Sequence, residues 1–370
     1  MRFFATQEQF SRALAMTTRV IAPQNNMPIL SGVQIEADLN QVRVTATDLF
    51  TVMTTAFPAQ VERPGHVVLT ANLITDLVHR LPTATLEVDS ASDGKTTIRY
   101  GKNRAILNGF GQERLPEFPS LESAAHEVIL PGGSLPTFSR QLLFACAKDE
   151  TRPLLRGVYG RLGSGRLLLA STDGSRLSQT WVPVPQNRES VFEVIIPAKF
   201  MVEAARLAGS IQPITFRLTD TLVKVSTEDG DITSRLLDGQ YPDYQRVIPQ
   251  EYSVSGRVAT AELRGALERV NLIASRERAA AIRVVHRAGS LDLSATSAEV
   301  GQSYESVDCD SHGPDMELLF NPNYLLDGLR ALEGEDVLLE FSGIQSPARF
   351  RETSGSSNYW HVVLPLRQLV

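Results

Sequence analysis

The chain has little of what specialised chemistry usually requires. Two cysteines in 370 residues, Cys146 and Cys309, stand far apart with no CxxC pair, which argues against a disulfide framework or a thiolate zinc site and predicts a reducing, cytoplasmic setting. The six histidines form no HxxxH or HExxH pair, and neither a Walker-type phosphate loop nor a GxSxG elbow occurs. No apolar run approaches the roughly 18 residues of a membrane span. The N-terminus MRFFATQEQF has neither a long apolar stretch nor a small-residue cleavage site, so no secretory leader is expected. A basic excess is missing too: 36 Lys and Arg stand against 42 Asp and Glu, a net charge of −6. That argues against a protein that wraps nucleic acid in a basic surface, and leaves room for a local basic strip.

What is present is a length suited to two or three domains and an ordinary globular composition, 42% hydrophobic and 21% charged, which excludes collagen-like, disordered and coiled-coil readings. Internal repeats refine the domain number. GHVVLTANLITDLVHRLP, VFEVIIPAKFMVEAARLAG and DMELLFNPNYLLDGLRALEG share one plan of apolar strand, break and helix, and the aligned Ala71, Ala198 and Pro322 lie 127 and 124 residues apart. In the first of these helices Leu73, Leu77 and Leu81 are expected to form the apolar stripe. A second helix recurs in the same frame over 7–20, 135–148 and 261–274. Its expected buried faces are Phe10, Leu14 and Thr17, then Phe138, Leu142 and Cys146, then Leu263, Leu267 and Val270. Each is followed by a strand-rich stretch with turn residues such as Gly163-Ser164-Gly165 and Gly289-Ser290. The expected architecture is therefore α+β, with three domains at 1–123, 124–252 and 253–370, each of two helices packed on antiparallel sheets. The polar, proline-bearing PEFPSLESAAHE and YPDYQRVIPQEYS are the expected junctions.

No catalytic constellation stands out. Asp308, Asp310 and His312 in DCDSHG could share a strand face and converge on a cation, but an acidic strand end beside Gly313 and Pro314 is more simply solvated. Cys146 reads as a core residue of its helix. The six expected helices carry Arg12, Arg19, Arg80, Arg140, Lys148, Lys199, Arg206, Arg264, Arg269 and Arg330 against Glu8, Asp76, Asp149, Glu203, Glu262, Glu268 and Asp327, a net of +3 inside an acidic whole. Arg12 lies opposite Phe10, and Arg140 opposite Phe138. Helices gathered on one surface would make it mildly positive, able to attract phosphates without reading bases.

Six segments in order, MPILSGVQI, TATDL, ASTDGSRL, RLLDGQYPDYQRVIP, FNPNYLLDGL and HVVLPLR, resemble the bacterial sliding clamp family, the beta subunit of DNA polymerase III, over essentially the whole length. The resemblance implies a non-enzymatic processivity factor without cofactor or metal, closing head-to-tail as a homodimer into a six-domain ring around double-stranded DNA. It implies DNA-facing Arg12, Arg80, Arg140, Lys199, Arg206 and Arg264, and a subunit contact through strand KNRAILN with Leu107 against Leu272 and Ile273. It also implies a pocket for short peptides of the polymerase III catalytic subunit, the ATP-dependent clamp loader, and repair, translesion and mismatch-repair proteins. The matching positions begin with Leu155, Thr172, Gly174, Ser175, Arg176 and Leu177. They continue with Pro242, Arg246, Val247, Asn321, Tyr324 and Ser346, and end with Val362, Val363, Leu364, Pro365, Leu366 and Arg367. There Arg176 and Arg246 are expected to orient the peptide. Departures from the family pattern are Gln24, Asn25 and Asn26 in place of a DNA-contacting Arg, Asp149 at a helix end, and Ser175 and Leu154 in the pocket. A tail of Gln368, Leu369 and Val370 continues past the pocket and could partly cover it. The alternatives are a repeat-built interaction scaffold that does not encircle DNA and a metal-dependent enzyme using Asp308, Asp310 and His312.

Overall fold

The computed structural model describes residues 1–22, 27–121, 126–184, 191–209, 211–353 and 358–367. Gln24, Asn25 and Asn26, and the tail Gln368, Leu369 and Val370, lie outside them.

The chain runs β1 (Arg2–Thr6), α1 (Gln7–Thr17), β2 (Gly32–Asp38), β3 (Gln41–Thr47), β4 (Thr51–Pro58), β5 (Gln60–Arg63), β6 (Gly65–Thr70), α2 (Ala71–Arg80), β7 (Thr85–Ser90), β8 (Thr96–Tyr100) and β9 (Asn103–Leu107). There follow β10 (His126–Leu130), α3 (Ser134–Leu142), β11 (Gly157–Gly163), β12 (Arg166–Thr172), β13 (Arg176–Pro183), β14 (Phe192–Pro197), α4 (Ala198–Ala208), β15 (Ile214–Leu218), β16 (Leu222–Thr227) and β17 (Gly230–Arg235). The last stretch holds β18 (Val254–Ala259), α5 (Thr260–Ala274), β19 (Ile282–Arg287), β20 (Ser290–Ser297), β21 (Gly301–Asp308), β22 (Asp310–His312), β23 (Met316–Phe320), α6 (Pro322–Ala331), β24 (Asp336–Phe341), β25 (Ala348–Glu352) and β26 (Trp360–Val363). The aligned Ala71, Ala198 and Pro322 are the first residues of α2, α4 and α6.

These elements form two compact units, Met1–Pro136 with Lys199–Leu236, and Thr137–Ala198 with Leu237–Val370. The first holds a five-stranded sheet, β5-β1-β7-β8-β9, and an eight-stranded sheet, β10-β15-β16-β17-β4-β3-β2-β6. The second holds a nine-stranded sheet, β14-β11-β12-β13-β26-β25-β24-β18-β22, and a four-stranded sheet, β21-β20-β19-β23. The units cut through the middle third of the chain because consecutive thirds share sheets. In the first unit β17 pairs antiparallel with β4, setting Ser234 opposite Thr51; in the second β26 pairs with β13, setting Val363 opposite Arg176. One rule covers both seams: the last strand of one repeat pairs with the fourth strand of the repeat before it.

Local chemistry explains the elements. The Thr6 hydroxyl caps α1 by accepting from the Gln9 amide at 3.3 Å. Phe10 of α1 packs edge-on against Phe3 and tilted against Phe57, with ring centroids 5.9 Å apart in each pair. The hairpin between β11 and β12 turns on Ser164 (φ 51°) and Gly165 (φ 71°), the two left-handed residues that a twisted two-residue hairpin requires.

Three helix expectations need correction. In α2 the buried residues are Ala71, Ile74 and Val78, while Leu73 is exposed. The buried stripe lies about one position (100°) round the helix from the expected one, where α2 packs on α1 and β6. α3 stops at Leu142 and a tighter turn follows, so Cys146, Lys148 and Asp149 are not helical. Cys146 is still core: burial pushes its thiol up to about 12, and burial pushes buried Cys309 up to about 11. With these ends the six α-helices among the described residues carry eight basic and six acidic side chains, a net of +2 in place of +3. No helix there is long and apolar enough to cross a membrane.

Candidate docking site and charged helix faces

The turn between β12 and β13 is held by its own side chains. The Thr172 hydroxyl donates to the Arg176 carbonyl (2.6 Å) and accepts from the Gly174 amide (3.0 Å). Asp173 accepts from the amides of Ser175 (2.9 Å) and Arg176 (3.1 Å). Gly174 takes φ +88°, a conformation disfavoured for other residues, and a Cβ there would come within 3.1 Å of the Arg152 guanidinium. Beyond β26 the chain is pinned to this turn and to β23: the Leu364 amide donates to the Ser175 carbonyl (2.9 Å) and the Leu366 amide to the Leu319 carbonyl (2.7 Å).

Beneath the turn lies one apolar cluster containing Leu155, Leu177, Val362, Tyr241 and Tyr244, with Leu154 packed against it. Tyr241 stacks on Tyr159 at 5.4 Å and its hydroxyl accepts from the Thr172 amide at 3.1 Å. The Tyr244 hydroxyl donates to Gln179 Oε1 at 2.9 Å. The segment YPDYQRVIP, expected to be a polar junction, therefore buries two rings. Above this floor Val247 (55% exposed), Leu364 (37%) and Leu366 (36%) present apolar surface to solvent, with exposed Arg246 paired to Asp243 at 2.7 Å. The turn between β24 and β25 carries exposed Ile344 and half-buried Ser346, whose amide donates to Gly343 O. That turn sits at the same end, because Ala348 pairs with Val363. Pro242 and Arg367 are exposed and Pro365 half-buried, while Val363 is fully buried.

Arg176 departs from expectation. It is buried, 7% exposed, and its guanidinium is taken up by Asp173 (3.0 Å), Asp327 (2.6 Å) and the Phe144 carbonyl while lying 4.4 Å over the Tyr324 ring. Three of its five N–H donors are committed inside the protein and the side chain is buried, so little of it is left to orient a ligand. Asn321 caps α6, accepting from the Asn323 amide at 3.0 Å, and so sets the turn that carries Tyr324. His361 lies behind that turn: Ser178 Oγ donates to its Nδ1 (2.8 Å) and its Nε2 donates to the Tyr324 carbonyl (3.2 Å). Burial, with the nearby Arg176 charge, lowers its pKa to about 3, so the ring is neutral and these partners define its tautomer.

The six basic residues expected to face DNA are at least partly exposed. In the first unit Arg12 pairs with Asp229 (2.8 Å), Lys199 with Asp48 (2.7 Å) and Arg206 with Glu203 (2.7 Å). In the second, Arg140 pairs with Glu333. Arg80 and Arg264 have no carboxylate partner among the described residues. Exposed pairs of this kind are worth only about 0 to 1 kcal/mol, so a phosphate can replace the carboxylate at little cost. Asp149 lies outside any helix and pairs with Arg152 at 2.6 Å, which holds its carboxyl well below the usual range.

At the expected subunit contact, Leu107 points inward and is buried, whereas its neighbour Ile106 is 46% exposed. Alternation along a strand makes the two exclusive. Leu272 is 68% exposed and Ile273 packs on the core. The metal arrangement is not met: Asp308 and Asp310 fall in different sheets, Arg257 and Asp336 line the same shallow depression, and no metal-holding group of His, Cys, Asp or Glu occurs among the described residues.

A three-repeat chain of paired helices on shared antiparallel sheets defines a DNA-clamp subunit. Family models of the DNA polymerase III beta subunit match in order, the N-terminal domain over residues 1–121, the central domain over 129–243 and the C-terminal domain over 245–367. The chain belongs to this family of beta sliding clamps, processivity factors of DNA replication. It is 30% identical to the beta sliding clamp of Bacillus subtilis over 380 residues, covering 99% of this chain and 100% of that one. It is 30% identical to that of Synechocystis over 390 residues, covering 99% of each. The crystal structure of the Bacillus subtilis sliding clamp superposes with a TM-score of 0.95 at 29% identity, covering 100% of this chain and 99% of that one. The Pseudomonas aeruginosa polymerase III beta subunit gives 0.91 at 26%, covering 100% of both.

Proposed function

We propose that two copies of this chain close head-to-tail into a ring of six domains, residues 1–123, 124–252 and 253–370 of each, that encircles duplex DNA and tethers replication proteins without catalysing a reaction. The observation that carries this reading is the seam rule. The second and third repeats each end in a strand that pairs with the fourth strand of the repeat before, and two strands are left over: the last of the first repeat, β9, at the edge of its sheet, and the fourth of the third, β21, at the edge of another. Long open edges are a liability that proteins cover, and a heterologous contact that closes leaves neither of these two open. Exposure supports the same pairing. Ile106 aligns with Thr233 and Val362, which the intrachain seams bury, yet it stays 46% exposed; on β21, Tyr304 is 64% exposed. Ile106, with Leu272 beside β21, replaces Leu107 as the outward contact.

A ring held by topology needs only weak phosphate contacts, which suits the net +2 on the helices, with Arg12, Arg80, Arg140, Lys199, Arg206 and Arg264 as the DNA-facing set. The apolar surface of Val247, Leu364 and Leu366 over the tyrosine floor is the docking pocket for peptides of the polymerase catalytic subunit, the ATP-dependent clamp loader, and repair, translesion and mismatch-repair proteins.

Retention on DNA after loading by the cognate clamp loader tests this. The chain stays on closed circular DNA and is lost when the circle is cut; equal loss from both refutes encirclement. Sedimentation adds that Ile106→Asp weakens the dimer by about 30-fold or more, the scale of losing a central interface contact. An unchanged dimer would reject the β9 edge as the seam.

A further inference from the structure

Tyr324 stands on the α6 turn beside the docking pocket, and its ring is not left to find its own position. From the β13 side, the buried Arg176 guanidinium stacks 4.4 Å from the ring centroid and bonds Asp327, one turn further along the same helix, at 2.6 Å. Two further donors of that guanidinium are held by Asp173 and the Phe144 carbonyl. From the β26 side, His361 bonds the Tyr324 carbonyl at 3.2 Å, and its ring lies so close to the helix that a Cβ on Gly328 would come within 2.2 Å of it. A planar, five-donor cation can meet three acceptors and a ring face together, which an ammonium cannot.

We propose that Arg176 and Asp327 are positioning residues, clamping Tyr324 in the orientation that receives a peptide, without themselves touching it. The inference rests on the docking reading above. Pre-organising one wall removes the ordering cost from binding, so affinity depends on residues the peptide never meets.

The test uses the full-length dimer and a fluorescein-labelled peptide with a Leu-Phe anchor taken from the cognate polymerase catalytic subunit. Asp327→Asn, which keeps volume and removes charge, and Arg176→Lys, which keeps charge and removes the fork, should each weaken binding about tenfold with the dimer intact. Asp327→Glu should recover most of the loss. With 3-fluorotyrosine incorporated, the ¹⁹F resonance assigned to Tyr324 should shift and broaden in both weakened variants before peptide is added, and stay put in Leu366→Lys. Should the variants lose affinity with that resonance unmoved, Arg176 contacts the peptide directly and the clamp is wrong. Unchanged affinity with Leu366→Lys still defective would reject the clamp and leave the pocket standing. Failure of the wild type to bind would overturn the pocket and the clamp together.

Discussion

The two seams of the chain have one backbone frame and different contents. In the first unit the Thr47 hydroxyl donates to the Thr51 carbonyl, Asp48 accepts from the Phe50 and Thr51 amides, and the Arg235 amide donates to the Phe50 carbonyl at 2.9 Å. In the second, Thr172, Asp173 and the Leu364 amide make the same bonds 125 to 129 residues later. Where the second seam has Arg176, Asp327, Gly328 and His361, the aligned positions of the first hold Thr51, Glu203, Ala204 and Ile232, all buried. Thr51 bonds the Ser234 hydroxyl at 3.1 Å, and Lys199 ties Asp48 from outside. Phe50 and Leu49 point to solvent at the first turn. The comparison teaches that hydrogen bonding of the turn builds the seam, while the side chains placed in it decide whether it also presents an ordered apolar pocket.

Acid separates the seams most strongly. The folded pKa of His361, about 3, lies below its ordinary 6.5, so above pH 6.5 both states are neutral and its burial costs nothing in proton binding. As pH falls from 6.5 toward 3 the unfolded chain gains a proton that the folded chain refuses, removing up to about 5 kcal/mol. Hydrogen exchange at pH 4.5 should therefore show β26 and α6 losing protection before β17 and α4, and His361→Gln should flatten the fall of Tm between pH 6.5 and 4; simultaneous loss in both units would remove the distinction. Next comes Gly328→Ala. A mid-helix Gly to Ala change ordinarily gains up to about 1 kcal/mol, but the 2.2 Å approach to the buried His361 ring reverses the sign, to about 3 kcal/mol of destabilisation in urea unfolding. A more stable variant would show that the ring has room to move. Leu366→Lys should lower peptide affinity about 100-fold in anisotropy titrations while sedimentation finds the dimer intact, the scale of losing a central anchor. The smallest change is expected from Phe50→Ser, within about twofold of wild type for the same peptide, since exposed single apolar residues carry little energy.

The three-fold repeat was readable because its strand-break-helix units keep nearly constant spacing, and the buried faces of α1 and α5 followed from one unambiguous stripe each. The stripe of α2 was misread because Leu73 and Leu77 run parallel to Ala71, Ile74 and Val78, and periodicity alone does not choose between adjacent faces. The pocket floor escaped for a different reason. Tyr241 and Tyr244 lie in a stretch whose proline and polar residues read as a junction, and only tertiary packing buries them. Arg176 looked like a ligand contact because its partner Asp327 is 151 residues away, a distance across which local pattern carries no information. The inward turn of Leu107 was within reach: strand alternation from half-buried Ala105, paired with core Ile98, would have placed Ile106 outside, had the register of β9 been anchored.

The central claim is that one of the two seams, that of β13 and β26, is the docking pocket, and calorimetric titration of the full-length dimer with the polymerase-derived peptide tests it most directly. The account predicts one site per chain, lost in Leu366→Lys and kept in Phe50→Ser. Two equivalent sites per chain, or a single site that disappears with Phe50→Ser and survives Leu366→Lys, would contradict it.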